Sequence, residues 1–135
     1  MAYTAVQVLA WCEADWDDWK TDCSGFVKAV CKRANIRLQG QANQIIDFLE
    51  TSSAWENLGA APAMATSRAN SGRIVIGGLK DRPNGHVVLV VKSAPLTYPV
   101  AYWGRLGAVG RKNTTINWSW NSSDRPNVHY YSSNT

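Results

Sequence analysis

Hydrophobic residues in the first half of the chain recur every three or four positions, which is the spacing of an amphipathic helix. This pattern predicts a helix over residues 3–19 and a second helix that begins at Asp22 and runs to residue 34. It predicts a third helix over residues 41–50, and the alanine-rich stretch 60–69 favours a short helix after Pro62. The first half of the chain is therefore predicted to be helical.

The second half changes to β-branched runs separated by turn residues, a pattern that is typical of strands. One such run is closed by Gly77 and Gly78, and a Pro-Asn-Gly turn at residues 83–85 leads into the next. Strands are predicted at residues 74–76, 87–91, 100–103, 116–120 and 128–131, and the polar tail 132–135 is expected to be frayed.

The run at residues 87–91 contains no polar position, which indicates a strand that is covered on both faces of its sheet. The preceding helices are expected to pack against one side of this sheet. Because helices come first and strands second, the predicted fold class is α+β. A chain of 135 residues without a linker or repeat is expected to form one domain, residues 1–135.

Composition and charge exclude some classes of function. The net charge of +4 comes from scattered basic residues without zinc-ligand spacing, a helix-turn-helix signature or a basic stripe, so nucleic-acid binding is not expected. No hydrophobic stretch is long enough to cross a bilayer, and membrane insertion is not expected either. The N-terminus lacks the basic start and hydrophobic centre of a signal peptide, so work outside the cytoplasm would need another route of export.

The three cysteines include no Cys-x-x-Cys pair and permit at most one disulfide. Cys12 and Cys31 lie on predicted hydrophobic helix faces, where packed thiols are favoured over a bridge between the first two helices. Cys23 differs, because it follows the capping residue Asp22 and falls in the first turn of the second helix. This position makes Cys23 the candidate nucleophile, although a packed core thiol is the alternative interpretation.

The first turn of this helix is predicted to serve the chemistry in two ways. A helix N-terminus lowers the pKa of a thiol, and its backbone N–H groups, at Cys23, Ser24 and Gly25, are predicted to bind the oxyanion that forms when a carbonyl is attacked. Gly25 also lets another backbone or the substrate approach closely, because it has no side chain.

A base is expected at His86, which begins the strand with the uninterrupted hydrophobic run. A helix N-terminus that packs across the start of this strand would bring imidazole and thiol together, as covalent catalysis requires. The other histidine, His129, lies in a polar C-terminal segment and is the weaker candidate.

These residues resemble a known family, the amidase effectors of the bacterial type VI secretion system, family 1, within the NlpC-type, papain-like cell-wall peptidases. The resemblance spans most of the chain in order. It is carried by the Asp-Cys-Ser-Gly-Phe-Val motif at residues 22–27 and by residues 40–43, 76–80, 85–87, 98–104, 109–110, 124–125 and 130–131.

The resemblance implies a papain-like NlpC-type fold with N-terminal helices on an antiparallel sheet, Cys23 as nucleophile and His86 as general base, and neither a metal nor a cofactor. The bond cut would join D-glutamate to meso-diaminopimelate in the peptidoglycan stem peptide. It further implies a monomeric effector that is delivered without a signal peptide into the periplasm of a neighbouring cell, and a cognate periplasmic immunity protein as partner. A phage lysin or wall-remodelling peptidase, and a non-catalytic wall-binding module, are the alternatives.

The third member of the catalytic group stays open. Papain-like enzymes commonly orient the imidazole with a polar residue on the following strand, yet the position that aligns here falls near Trp103, which has no acceptor. A backbone carbonyl, a water molecule or Tyr102 are the alternatives, and Tyr102 is also a candidate for contact with the substrate.

Overall fold

Four α-helices lie in the first half of residues 3–134, the part of the chain that the computed structural model describes. They are α1 (Ala5–Trp19), α2 (Cys23–Arg33), α3 (Ala42–Thr51) and α4 (Pro62–Asn70). The starts follow local chemistry, since the Thr4 side chain accepts the Gln7 N–H at the start of α1 and Pro62 occupies the first turn of α4. Their bounds lie within two residues of the predicted ones.

The strands form one antiparallel sheet of six strands. They are β1 (Trp55–Gly59), β2 (Val75–Leu79), β3 (His86–Val90), β4 (Val100–Trp103), β5 (Arg111–Thr115) and β6 (His129–Ser133), in the spatial order β1-β6-β2-β3-β4-β5. The predicted α+β class is confirmed, and the arrangement is compatible with a papain-like amidase fold.

Several predictions about the strands are wrong in detail. The segment predicted as a strand at 116–120 is a 3-10 turn, Ile116–Trp118, and Trp118 is 61% exposed. Strands β1 and β5 were not predicted, because both are edge strands and β5 is polar and largely exposed. Gly77 and Gly78 lie inside β2 rather than after it.

The C-terminal tail also differs from the prediction. Ser132 and Ser133 belong to β6 and are buried, because the strand pairs with β1 on one side and β2 on the other. Of the four tail residues predicted to fray, Thr135 lies outside the described residues.

Both faces of the sheet are covered, as predicted for the hydrophobic run of β3. Val87 and Leu89 face a core formed with α1, α2 and α3, whereas Val88 and Val90 face a second core. Helix α4 contributes Ala65 and Ala69 to the second core, so the expectation that the helices pack against one side is wrong for α4. The reason is that β3 needs cover on both faces, and α1 to α3 supply it on only one.

Cys12 and Cys31 are free, buried thiols of the helix-side core, which agrees with packed thiols rather than a bridge. Burial raises the pKa of Cys31 to about 12, so this thiol stays protonated and unreactive. Within residues 3–134, no helix has both the length and the hydrophobicity that a bilayer crossing requires.

Candidate active site

Cys23 is the first residue of α2, and its side chain is 7% exposed. Burial raises the pKa of the Cys23 thiol above its ordinary value. Hydrogen bonds from the backbone of Val87 and Ser24, and the charge of Arg105, act in the opposite direction. The backbone of β3, the start of α2 and Arg105 therefore moderate the effect of burial without reversing it, and the thiol is protonated at neutral pH.

The Ser24 side chain and the space beside Gly25 serve the fold rather than the cleft. The Ser24 hydroxyl oxygen lies 3.1 Å from carboxylate Oδ1 of Asp22 and 3.1 Å from Oε1 of Gln41. A Cβ atom on Gly25 would lie 2.4 Å from the Trp19 ring, so it is the indole, and not a substrate, that uses the space beside this glycine.

Two of the three predicted oxyanion donors are already engaged by other groups of the protein. The Gly25 N–H donates to Oδ1 of Asp22 at 3.0 Å, which caps the helix and leaves this group unavailable to a substrate. The Ser24 N–H is directed at the Cys23 sulfur. Of the donors predicted from the sequence, the Cys23 N–H is the one with no competing acceptor among residues 3–134.

His86 is the first residue of β3 and pairs with Leu79 on β2. The loop between these two strands is held by Asn43 of α3, whose Nδ2 donates to the Asp81 carbonyl at 2.7 Å and whose Oδ1 accepts the Asp81 N–H at 3.2 Å. A Cβ atom on Gly85 would lie 2.2 Å from Oδ1 of Asn43. Helix α3 therefore fixes the backbone that delivers the imidazole, and only glycine fits before it.

The imidazole of His86 packs against Trp120, with ring centroids 5.1 Å apart and planes at 70°. Its Nε2 atom is buried and has no hydrogen-bond partner within residues 3–134. Burial, and secondly the charge of Arg105, lower the pKa of His86 to about 3. The ring is therefore neutral at physiological pH and able to accept a proton.

Cys23 and His86 line one cleft of about 350 Å³. The two predicted reactive residues are thus brought together, at the end of the sheet where α2 begins. The cleft has polar and charged walls, and its other lining residues are Leu79, Asp81, Asn84, Gly85, Arg105, Leu106, Ser119, Trp120, Asn121 and Asp124.

Tyr102 does not reach this cleft. It is 2% exposed in the helix-side core, where it stacks on Phe26 and its hydroxyl donates to the Glu13 carboxylate. The imidazole contacts Trp120, which belongs to the opposite core. Tyr102 is therefore positioned neither to orient His86 nor to touch a substrate beside Cys23.

Arg105 is a cleft residue that the sequence did not single out. Its backbone N–H donates to the Lys20 carbonyl at 3.1 Å, and its Nη2 donates to the Ser119 carbonyl at 2.7 Å. The sequence signal is weak, because one basic residue in a glycine-containing loop is common at surfaces. Only the contact of this loop with the α1–α2 connection places Arg105 beside Cys23.

Comparison with known proteins gives one extensive match. The chain is 37% identical over 134 residues to peptidoglycan amidase Tse1 of Pseudomonas aeruginosa, and the aligned region covers 89% of this chain and 84% of that protein. No family model matches the chain.

Proposed function

The chain belongs to the family of the peptidoglycan amidase that it matches, and on this premise we propose that it hydrolyses an amide bond of peptidoglycan, with Cys23 as nucleophile and His86 as base. The single observation that carries the mechanism is that this thiol and this imidazole line the same cleft. The bond we propose is the one between the γ-carboxyl of D-glutamate and meso-diaminopimelate, following the resemblance of the sequence motifs to amidase effectors.

Acylation begins from a neutral pair. The imidazole takes the thiol proton as sulfur attacks the γ-carbonyl carbon, and because Nε2 is buried we assign this exchange to Nδ1. The imidazolium then gives its proton to the nitrogen of diaminopimelate as the C–N bond breaks. The products are a free amine and a thioester on Cys23.

Deacylation returns the enzyme to its first state. Water loses a proton to the neutral imidazole and attacks the thioester carbonyl, and the departing sulfur takes that proton back. The second product is a stem fragment that ends in a D-glutamyl residue with both carboxylates free. The Cys23 N–H is the proposed oxyanion donor in both steps.

One observation favours a second candidate, a wall-binding module of the same fold without activity. Within residues 3–134, no side chain or backbone group partners Nε2 of His86, so the imidazole lacks the third group that commonly orients it. The contact with the Trp120 ring fixes the orientation of the imidazole without a hydrogen bond, and this contact supports the enzyme over the module.

Product analysis by mass spectrometry separates the two candidates. Purified protein incubated with peptidoglycan fragments is expected to release diaminopimelate-containing peptides with a new free amine. Cys23→Ala is expected to lower the rate by roughly 10³-fold or more, since the nucleophile is lost. Cys12→Ala is the matched control, because it removes a buried thiol outside the cleft. Binding without any product in the wild type would favour the module.

We also propose the biological setting that the resemblance implies. Residues 1–135 would act as one monomeric unit, delivered by a type VI system into the periplasm of a target cell, and the producing cell would hold a periplasmic immunity protein that blocks the cleft. A neighbouring gene for a small exported partner supports the effector, whereas neighbouring genes for phage lysis proteins would support a phage lysin.

A further inference from the structure

Arg105 places a positive charge in the wall of the cleft that holds Cys23 and His86. Within residues 3–134, its guanidinium hydrogen-bonds only to Ser119, from Nη2 to the carbonyl at 2.7 Å and to the hydroxyl at 3.5 Å. No carboxylate of that part of the chain pairs with it. Four other basic side chains are each paired with a carboxylate, in the pairs Arg33–Asp15, Arg68–Glu56, Lys80–Asp47 and Lys112–Glu13.

The position of this charge is fixed by the fold. The N–H groups of Arg105 and Gly110 both donate to the Lys20 carbonyl, at 3.1 and 2.7 Å. A Cβ atom on Gly104 would lie 2.2 Å from the Trp19 carbonyl oxygen, so the loop packs backbone to backbone on the connection that precedes Cys23. The guanidinium is thus part of a preorganised site rather than a mobile surface group.

The charge of Arg105 also reaches the reacting groups. All three residues line the same cleft, and the guanidinium lowers the pKa of the Cys23 thiol and that of the His86 imidazole. Asp81 and Asp124 line the same cleft but contribute to neither shift. The Asp22 carboxylate acts against Arg105 on the thiol, and more strongly, but it caps α2 by accepting the Gly25 N–H. Among the residues that line the cleft, Arg105 is the cation that an anionic substrate group would meet.

The proposed substrate carries an anion close to the bond that is cut. In a γ-linked D-glutamyl residue, only two methylene groups separate the scissile carbonyl from the α-carbon, which bears a free carboxylate. We propose that Arg105 binds this α-carboxylate and thereby selects stems with D-glutamate over stems in which the same position is amidated to D-isoglutamine. The inference rests on the proposed function and names the substrate group that the same cleft recognises.

The geometry of guanidinium suits this role. Nη2 carries two N–H groups, and the Ser119 carbonyl accepts one of them. The second, paired with the N–H of Nη1 or Nε beside it, forms a fork that fits a planar carboxylate. An amide in place of the carboxylate loses the charge and turns one acceptor into a donor that faces other donors. A buried polar mismatch of this kind discriminates far more strongly than a change in size.

Two synthetic tetrapeptide stems test the inference, one with D-glutamate and one with D-isoglutamine at the second position. In a tetrapeptide, the diaminopimelate carboxyl next to the scissile bond is part of an amide and carries no charge. The two stems therefore differ near that bond only at the α-carboxyl group of the second residue. For the wild type, kcat/KM is expected to favour the D-glutamate stem by about 10- to 100-fold, as for a hydrogen-bonded charge.

Variants of Arg105 locate the preference. Arg105→Gln is expected to lower kcat/KM for the D-glutamate stem to near that of the amidated stem and to change the amidated stem little. Arg105→Lys should restore part of the preference, since it keeps the charge without the fork. Arg111→Gln is the matched control, because Arg111 stacks on the exposed Trp118 and does not line the cleft. It should leave the preference unchanged.

Equal cleavage of both stems by the wild type would overturn the inference. An equal loss on both stems in Arg105→Gln would also overturn it, because a group that stabilises only the oxyanion acts on any amide. If the wild type cleaves neither stem, the proposed function fails, and calorimetry on the same two stems still decides the role of Arg105. Tighter binding of the D-glutamate stem, lost in Arg105→Gln, would support it, and equal binding would refute it.

Discussion

Burial holds both reactive groups of the cleft in their uncharged forms. It lowers the pKa of His86 to about 3 and raises the pKa of the Cys23 thiol above its ordinary value. A thiol and a neutral imidazole, rather than a preformed ion pair, therefore meet the substrate. In the proposed mechanism the proton moves as the sulfur attacks, so the nucleophile becomes charged only when a carbonyl is present to receive it.

The dependence of the rate on pH follows from these protonation states. The active form, with a protonated thiol and a neutral imidazole, should persist from well above the pKa of His86 up to the pKa of Cys23. We therefore expect kcat/KM for the stem peptide to be nearly constant between about pH 5 and 8. Stopped assays across that range check it. An acid limb near 6.5, the ordinary value for imidazole, would contradict the account.

Folding must be monitored in the same samples, because the partly buried, neutral imidazole also links stability to pH. The unfolded chain takes up a proton on His86 as the pH falls through about 6.5, whereas the folded chain does so only near 3. The contribution of this group to stability is therefore present above about 6.5 and declines as the pH falls below it. Circular dichroism at each pH separates unfolding from a catalytic effect.

Three elements meet to build the site. Helix α2 presents Cys23, strand β3 presents His86, and α3 holds the loop before His86 through two hydrogen bonds of Asn43 with the backbone of Asp81. A nucleophile and a base from separate elements react only when both backbones are fixed within a fraction of an ångström. Asn43 is therefore a positioning residue that acts through the loop.

Asn43→Ala tests this at the scale of the loop. Losing both hydrogen bonds should lower kcat by about 10-fold through misplacement of the imidazole, with a smaller effect on KM, and destabilise the fold by about 1–2 kcal/mol. Enzyme kinetics and thermal melting measure the two effects.

The chain offers a close control in Asn70, whose side chain makes the same two-bond clamp with the backbone of Ser93, both at 3.0 Å, away from the cleft. Asn70→Ala should cost similar stability and leave kcat unchanged. Equal losses of activity in the two variants would mean that general loosening, and not placement of His86, is responsible.

The success of prediction differed between kinds of element. Helices α1 to α3 followed from hydrophobic spacing, because each buries one stripe, and α4 followed from its alanine-rich stretch and Pro62. Edge strands β1 and β5 carry polar residues at most positions and have no hydrophobic alternation, so they left no such signal. The segment at 116–120 alternated like a strand, yet a 3-10 turn buries Ile116 and Trp120 and exposes Trp118.

Prediction of the site was likewise limited to features that a short stretch of sequence carries. Cys23 and His86 could be singled out as candidates because a helix start and a strand start are local features, and both residues line one cleft. Arg105 and Asn43 contribute through contacts with segments distant in sequence, which no local pattern reports. Tyr102 was a reasonable candidate from its position on β4, but the alternation of the strand turned it into the helix-side core.

The molecule as a whole places its cleft where the two cores meet. The α1–α2 connection and the loop after β4 close against each other on the Cys23 side, while Trp120 from the opposite core backs the imidazole. Membership of the amidase family, predicted from the motifs, is confirmed by the match along most of the chain. The modest positive charge of the chain favours approach to an anionic cell wall and adds no specificity.

The central claim is that Cys23 is an accessible nucleophile served by His86. The most direct measurement uses a stem analogue, L-alanyl-γ-D-glutamyl chloromethyl ketone, in which the electrophilic carbon replaces the scissile amide nitrogen, followed by peptide mapping by mass spectrometry. Alkylation of Cys23 is predicted, with loss of chloride, much slower reaction in His86→Gln, and no label on Cys12 or Cys31. Failure to label Cys23, or labelling no faster than that of the two core thiols, would contradict the account.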